Sequence, residues 1–72
     1  MPYASNLDLP VSLRRRLPEH AQDIYRQAFN HAWDSDGGAD EARAHRIAWA
    51  AVKRRYRKER DRWVAKEPWA RD

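Results

Sequence analysis

Seven apolar residues, Ala21, Ile24, Tyr25, Ala28, Phe29, Ala32 and Trp33, fall at i, i+3, i+4, i+7, i+8, i+11 and i+12 within the stretch "HAQDIYRQAFNHAW". On a 3.6-residue helix that spacing makes one continuous stripe, so the segment predicts an α-helix with a single face to bury. The rings on that face supply buried area, and the alanines between them let a second helix come close. The rest of the chain must provide the partner. At 72 residues it makes one domain, since a chain this short buries only about 60% of its unfolded surface and cannot sustain two cores. Cysteine is absent, so neither a disulfide nor a thiolate metal site reinforces that core.

Prolines and glycines mark the other elements. In "DLPVSLRRRL", Leu9, Leu13 and Leu17 recur every fourth residue behind Asp8, which predicts a short helix capped by Asp8 with Pro10 in its first turn. Pro18 should end that helix and open the next. "DSDGGAD" interrupts the periodicity with two glycines and carboxylates able to cap a helix beginning near Asp40 or Glu41. From there Ala44, Ile47, Ala48, Ala51, Val52 and Tyr56 repeat the helical stripe, flanked by Trp49, and predict a second long helix packed on the first. Ile24, Phe29, Trp33, Ile47, Trp49 and Tyr56 are the residues expected to hold the two together. The end, "DRWVAKEPWARD", fits neither period, and Pro68 interrupts it. Residues 1–66 are expected to form the domain and residues 67–72 a flexible tail in which Trp69 covers a little core edge.

Charge is unevenly placed. Residues 1–42 carry 4 basic and 7 acidic groups, whereas residues 43–72 carry 11 basic and 4 acidic. The run "KRRYRKERDR" supplies Lys53, Arg54, Arg55, Arg57, Lys58, Arg60 and Arg62 against Glu59 and Asp61. This predicts a basic face on the second long helix for an acidic partner: a protein surface, a nucleic acid or an anionic membrane. Arg14, Arg15 and Arg16 form a second knot, which joins the first only if the fold brings the short helix beside it. No stretch approaches the roughly 20 apolar residues of a membrane span, and the N-terminus has no secretory pattern, so a soluble, cytoplasmic monomer is expected.

Catalytic and metal chemistry find little support. His20, His31 and His45 titrate near neutrality, but Ser5, Ser12 and Ser35 sit in no activating motif, and a core this small builds no closed cleft. His20 precedes Asp23, and His31 precedes Asp34, by three residues, a spacing that on a helix gives surface hydrogen bonds. Aligned from Asp34, an EF-hand would need a ligand at 38, glycine at 39 and glutamate at 45, where this chain has Gly38, Ala39 and His45. A looser cation site through Asp34, Asp36 and Asp40 is weaker than a capped loop. No enzyme activity, cofactor or metal is expected.

The blocks "MPY", "DLP", "LPEHAQDIYRQAFNHAW" and "AHRIAWAAVKRRY" occur in order, and over residues 1–66 the chain resembles the ChaB family of small bacterial proteins, described as cation transport regulators. The resemblance implies a mostly α-helical domain of one short and two long packed helices, with short β pairing between the N-terminus and the segment around Trp63 and Val64. It also implies a regulator of a calcium or sodium/proton antiporter, acting here on an acidic cytosolic surface; the alternative is a nucleic-acid-binding protein using the same basic face. Two departures stand out: the glycine common in ChaB-like sequences between the second long helix and the tryptophan segment is missing, and "EPWARD" is appended.

Overall fold

The N-terminal residues are pinned before any helix begins. In the computed structural model, which describes residues 2–66, a 3-10 turn at Asn6–Asp8 is closed by a reciprocal cap. The Ser5 hydroxyl accepts from the Leu7 amide at 3.3 Å. The Asp8 carboxylate accepts from the Ala4 and Ser5 amides, each at 3.1 Å. Asp8 therefore caps backwards, and helix α1 (Val11–Arg16) begins behind Pro10 without a side-chain cap. This corrects the expectation that Asp8 starts α1: its carboxylate already satisfies the amides of the preceding turn. Leu9, Leu13 and Leu17 are all buried, as their spacing predicts.

Pro18 ends α1 and opens α2 (Glu19–Ser35). Gln22 ties the corner, its side-chain amide donating to the Leu17 carbonyl at 2.9 Å and the Arg14 carbonyl at 3.4 Å, two of the acceptors that a helix end leaves open. After the Gly37 and Gly38 turn, Asp40 accepts from the Arg43 amide at 3.0 Å and starts α3 (Glu41–Arg55). Gly38, at φ +79°, is required twice: the left-handed backbone favours glycine, and a Cβ there would stand 2.6 Å from the Trp33 ring.

The main interface is α2 against α3. Ala21, Ala32, Ala44 and Ala48 are nearly inaccessible, and small side chains at these positions let the helix axes approach. Tyr25, Phe29 and Val52 are the largest fully buried side chains. Phe29 stands between Tyr3 and Trp33, with ring centroids 4.9 and 5.9 Å away. Of the residues expected to hold the helices together, Phe29 and Tyr56 are buried, whereas Ile24, Trp33, Ile47 and Trp49 are half-buried and line the rim. The aromatic load exceeds what so thin a domain can enclose.

The second long helix is shorter than its pattern predicts. Tyr56 leaves the helix at φ −130° and ψ 152°, and the chain forms a two-stranded antiparallel hairpin, β1 (Tyr56–Glu59) with β2 (Arg62–Ala65). Burial of the Tyr56 ring and contact of Trp63 with Trp49, at 5.4 Å between centroids, override local helix preference. The β pairing expected from the family resemblance exists, but the partner of the Trp63 segment is Tyr56–Glu59 and not the N-terminus. The N-terminal backbone is engaged elsewhere. The Tyr3 amide donates to the Asn30 side-chain oxygen at 3.1 Å, and the Asn30 side-chain nitrogen donates to the Tyr3 carbonyl at 2.8 Å. One buried asparagine thus does for Tyr3 what a neighbouring strand would have done. The tail, including Trp69, lies outside the described residues.

Candidate functional site

All seven candidate cations are exposed, but the hairpin distributes them over several surfaces and not along one helix face. Lys53, Arg54 and Arg55 occupy the last turn of α3, where cations complement the partial negative charge of a helix C-terminus. That role accounts for three of them without any partner. It does not account for Arg57, Lys58, Arg60 and Arg62, which lie beyond the helix. Strand alternation puts Tyr56, Lys58, Trp63 and Ala65 on the side toward the helices and Arg57, Glu59, Arg62 and Val64 on the other. Arg57 spends part of its charge on Glu59, with Nη2 to Oε2 at 2.5 Å. Both side chains are about half exposed, so water screens the pair and it contributes little to stability.

Arg60 occupies the first of two loop residues at φ +60° and is the one non-glycine residue with positive φ among those described. Positive φ at the first position alone is the pattern of a type II′ hairpin turn, which favours glycine there. At this position, where the turn favours glycine, a strained arginine places one more cation at the hairpin tip.

The arginines of α1 do approach this region. Arg15 and Arg16, with Leu17 and Pro18, form one wall of a groove of about 300 Å³ whose other wall is Arg62, Trp63 and Val64 of β2. The two basic knots converge because Pro18 turns the chain at the end of α1, and they meet at β2, not at the helical part of the run. Arg14 takes no part: its Nε donates to the Leu9 carbonyl at 3.2 Å.

The opposite end of α3 is acidic. Fifteen residues of helix separate the two ends by roughly 22 Å, so the sequence asymmetry becomes a spatial one. The carboxylates there hold the loop. Asp36 accepts from the Gly38 amide at 3.1 Å and faces Arg43 at 3.7 Å, and Asp40 caps α3. Among the described residues no three histidine, aspartate or glutamate side chains are grouped to hold a metal ion.

Two histidines satisfy buried phenols. His45 Nδ1 bonds the hydroxyl of fully buried Tyr25, and its Nε2 faces Glu41 at 3.8 Å. Burial, with lesser contributions from Tyr3 and Glu41, pushes the Tyr25 phenol well above its ordinary range. His20 Nδ1 lies 3.3 Å from the Tyr56 hydroxyl. This corrects the expected His20 to Asp23 contact, because Asp23 is held instead by Asn6 at 2.6 Å and Arg26 at 3.6 Å. These partnerships join residues 20 and 36 positions apart and leave no local mark in the sequence.

Fold and surface together define a class: a small helical domain closed by a C-terminal hairpin, with cations gathered at the hairpin end. The ChaB family model matches residues 9–66, and the chain belongs to the ChaB family. A relative from Escherichia coli (strain K12), named "Putative cation transport regulator ChaB", is 48% identical over 75 aligned positions, covering 92% of this chain and 99% of the relative. A solved structure described as "NMR solution structure of the putative cation transport regulator ChaB" superposes with a TM-score of 0.78 at 45% identity, covering 92% of this chain and all of that one. A protein of Lymantria dispar multicapsid nuclear polyhedrosis virus, named "Uncharacterized 10.9 kDa protein in LEF8-FP intergenic region", is 39% identical over 64 positions, covering 89% of this chain and 64% of the relative.

Proposed function

We propose that this protein is a non-enzymatic, monomeric cytoplasmic binding protein that docks an acidic partner through Lys53, Arg54, Arg55, Arg57, Lys58, Arg60 and Arg62. The relatives' name speaks of regulating cation transport; on our reading the partner is the acidic cytosolic face of a cation/proton antiporter, for calcium or sodium, whose transport this protein regulates. The observation that carries this reading is the surplus of exposed cations beyond the end of α3, where no helix terminus calls for them. Their holding elements are short and contribute little core, which suits residues retained for contact and not for stability.

The test is capture of an acidic antiporter loop by the full chain, with and without nuclease, over a range of salt. Binding should weaken as salt rises and be lost in Arg54→Glu/Arg57→Glu/Arg62→Glu, whose fold should remain intact because all three side chains are exposed. Retention of duplex DNA in place of the loop, with a slope of about −0.9 in log affinity against log salt per phosphate contact, would establish nucleic acid as the partner.

A further inference from the structure

The hairpin has a side that the proposed function does not use. The Lys66 amide donates to the Arg55 carbonyl at 2.9 Å, which makes Arg55 and Lys66 a hydrogen-bonded pair. Antiparallel pairs alternate, so Arg57 with Val64 and Glu59 with Arg62 are hydrogen-bonded in turn. Trp63 and Ala65 then lie in non-hydrogen-bonded pairs, and their backbone N–H and C=O groups point away from β1. The sheet has only two strands, and among the described residues these outward groups meet no backbone partner.

What lies on that side is the groove already described. Its walls are β2 and the α1 to Pro18 corner, and no β1 residue lines it. An unpaired strand edge thus faces a channel flanked by Arg15, Arg16 and Arg62, with the half-buried Trp63 and Val64 between them. Native edges are commonly blunted by charge, and a cationic edge repels a second copy of itself. The same charge selects for a strand of opposite sign.

We propose that the outer edge of β2 binds an extended acidic peptide as a third antiparallel or parallel strand, with its backbone on Trp63 and Ala65 and its carboxylates on Arg15, Arg16 and Arg62. The proposal rests on the acidic-partner reading above and gives it a conformation. Backbone hydrogen bonds set the peptide's path, and alternate side chains set its preference, one row lying on the Arg62 face of the sheet and the other on the Trp63 and Ala65 face. Arg15 and Arg16, which lie outside the basic run, thereby become part of the binding surface.

The probe is an octapeptide of alternating glutamate and valine, compared with the same peptide N-methylated at alternate residues, which keeps every charge and removes the donors on one edge. Binding to the full chain is measured by fluorescence anisotropy, with amide exchange of the protein followed by NMR. The unmodified peptide should bind in a salt-sensitive way, N-methylation should weaken it by at least about tenfold, and the Trp63 and Ala65 amides should become protected. Arg15→Glu/Arg16→Glu should weaken binding by a similar factor while leaving the spectrum of α2 and α3 unchanged. Equal binding of both peptides without protection at Trp63 and Ala65 would overturn the strand-edge proposal and leave the acidic-partner reading standing. Failure of both peptides to bind at low salt would overturn both.

Discussion

The α2–α3 interface and the β1–β2 hairpin meet at Tyr56, yet they are held by different forces. Between the helices, alanines set a close approach, and Tyr25, Phe29 and Val52 fill it with side chains almost wholly removed from water. In the hairpin only Tyr56 is buried, Trp63 leans on a half-buried Trp49, and the other face presents Arg57, Glu59, Arg62 and Val64. The first region derives its stability from burial and tolerates few changes. The second buries little beyond Tyr56, and on the proposed reading its exposed residues are free to be chosen for charge.

This contrast breaks most visibly on truncation. Phe29→Ala should cost about 3–5 kcal/mol, close to the whole stability of a domain this size, and leave little cooperative melting by circular dichroism. Arg57→Ala should stay within about 0.5 kcal/mol. A Phe29→Ala protein melting within a few degrees of the parent would erase the distinction. Alkali should act on the same region. Because the Tyr25 phenol is raised above its ordinary value of 10.0 in the folded protein, its contribution to stability is complete below that pH and is lost as pH climbs toward the folded value. Phenolate absorbance should therefore show Tyr25 ionising only together with unfolding, whereas an independent titration near its ordinary value would contradict its burial.

Smaller effects sharpen the comparison at the turns. Gly38→Ala should cost about 1–3 kcal/mol in chemical denaturation, through positive φ and collision with Trp33. Asp40→Ala should cost about 1 kcal/mol by uncapping α3. Arg60→Gly should have the opposite sign, gaining about 0.5 kcal/mol by relieving a left-handed arginine, with slower amide exchange confined to the hairpin. At the same time it should weaken binding to an acidic partner. A substitution that stabilises the fold while harming contact separates display from scaffold in one variant.

Most of the helical part was legible because its signals are local and periodic. The Leu9, Leu13 and Leu17 spacing, the Pro18 boundary, the stripe from Ala21 to Trp33 and the glycine turn each lie within a few residues of what they determine. The hairpin was not legible, because helical spacing continues through Tyr56 and no glycine or proline marks the turn at Arg60 and Asp61. What ends the helix is the fit of Tyr56 and Trp63 against residues far away in the chain. Asn30 is illegible for the same reason, since its partner Tyr3 is 27 residues distant. The candidate site was legible as a list of cations and not as a shape: all seven are exposed, but their division between helix end, strands and turn, and their meeting with Arg15 and Arg16, come from the fold.

The central claim is that the hairpin end is the docking surface and the helical pair its scaffold. It is tested most directly by titrating the isotopically labelled full chain with an acidic antiporter loop and following every backbone amide by NMR. The account predicts saturable, salt-sensitive shifts at Lys53 to Ala65 and at Arg15 and Arg16, with the loop from Asp34 to Glu41 unmoved. Shifts centred on that acidic loop or on the exposed side of α2, or none at low salt, would contradict it.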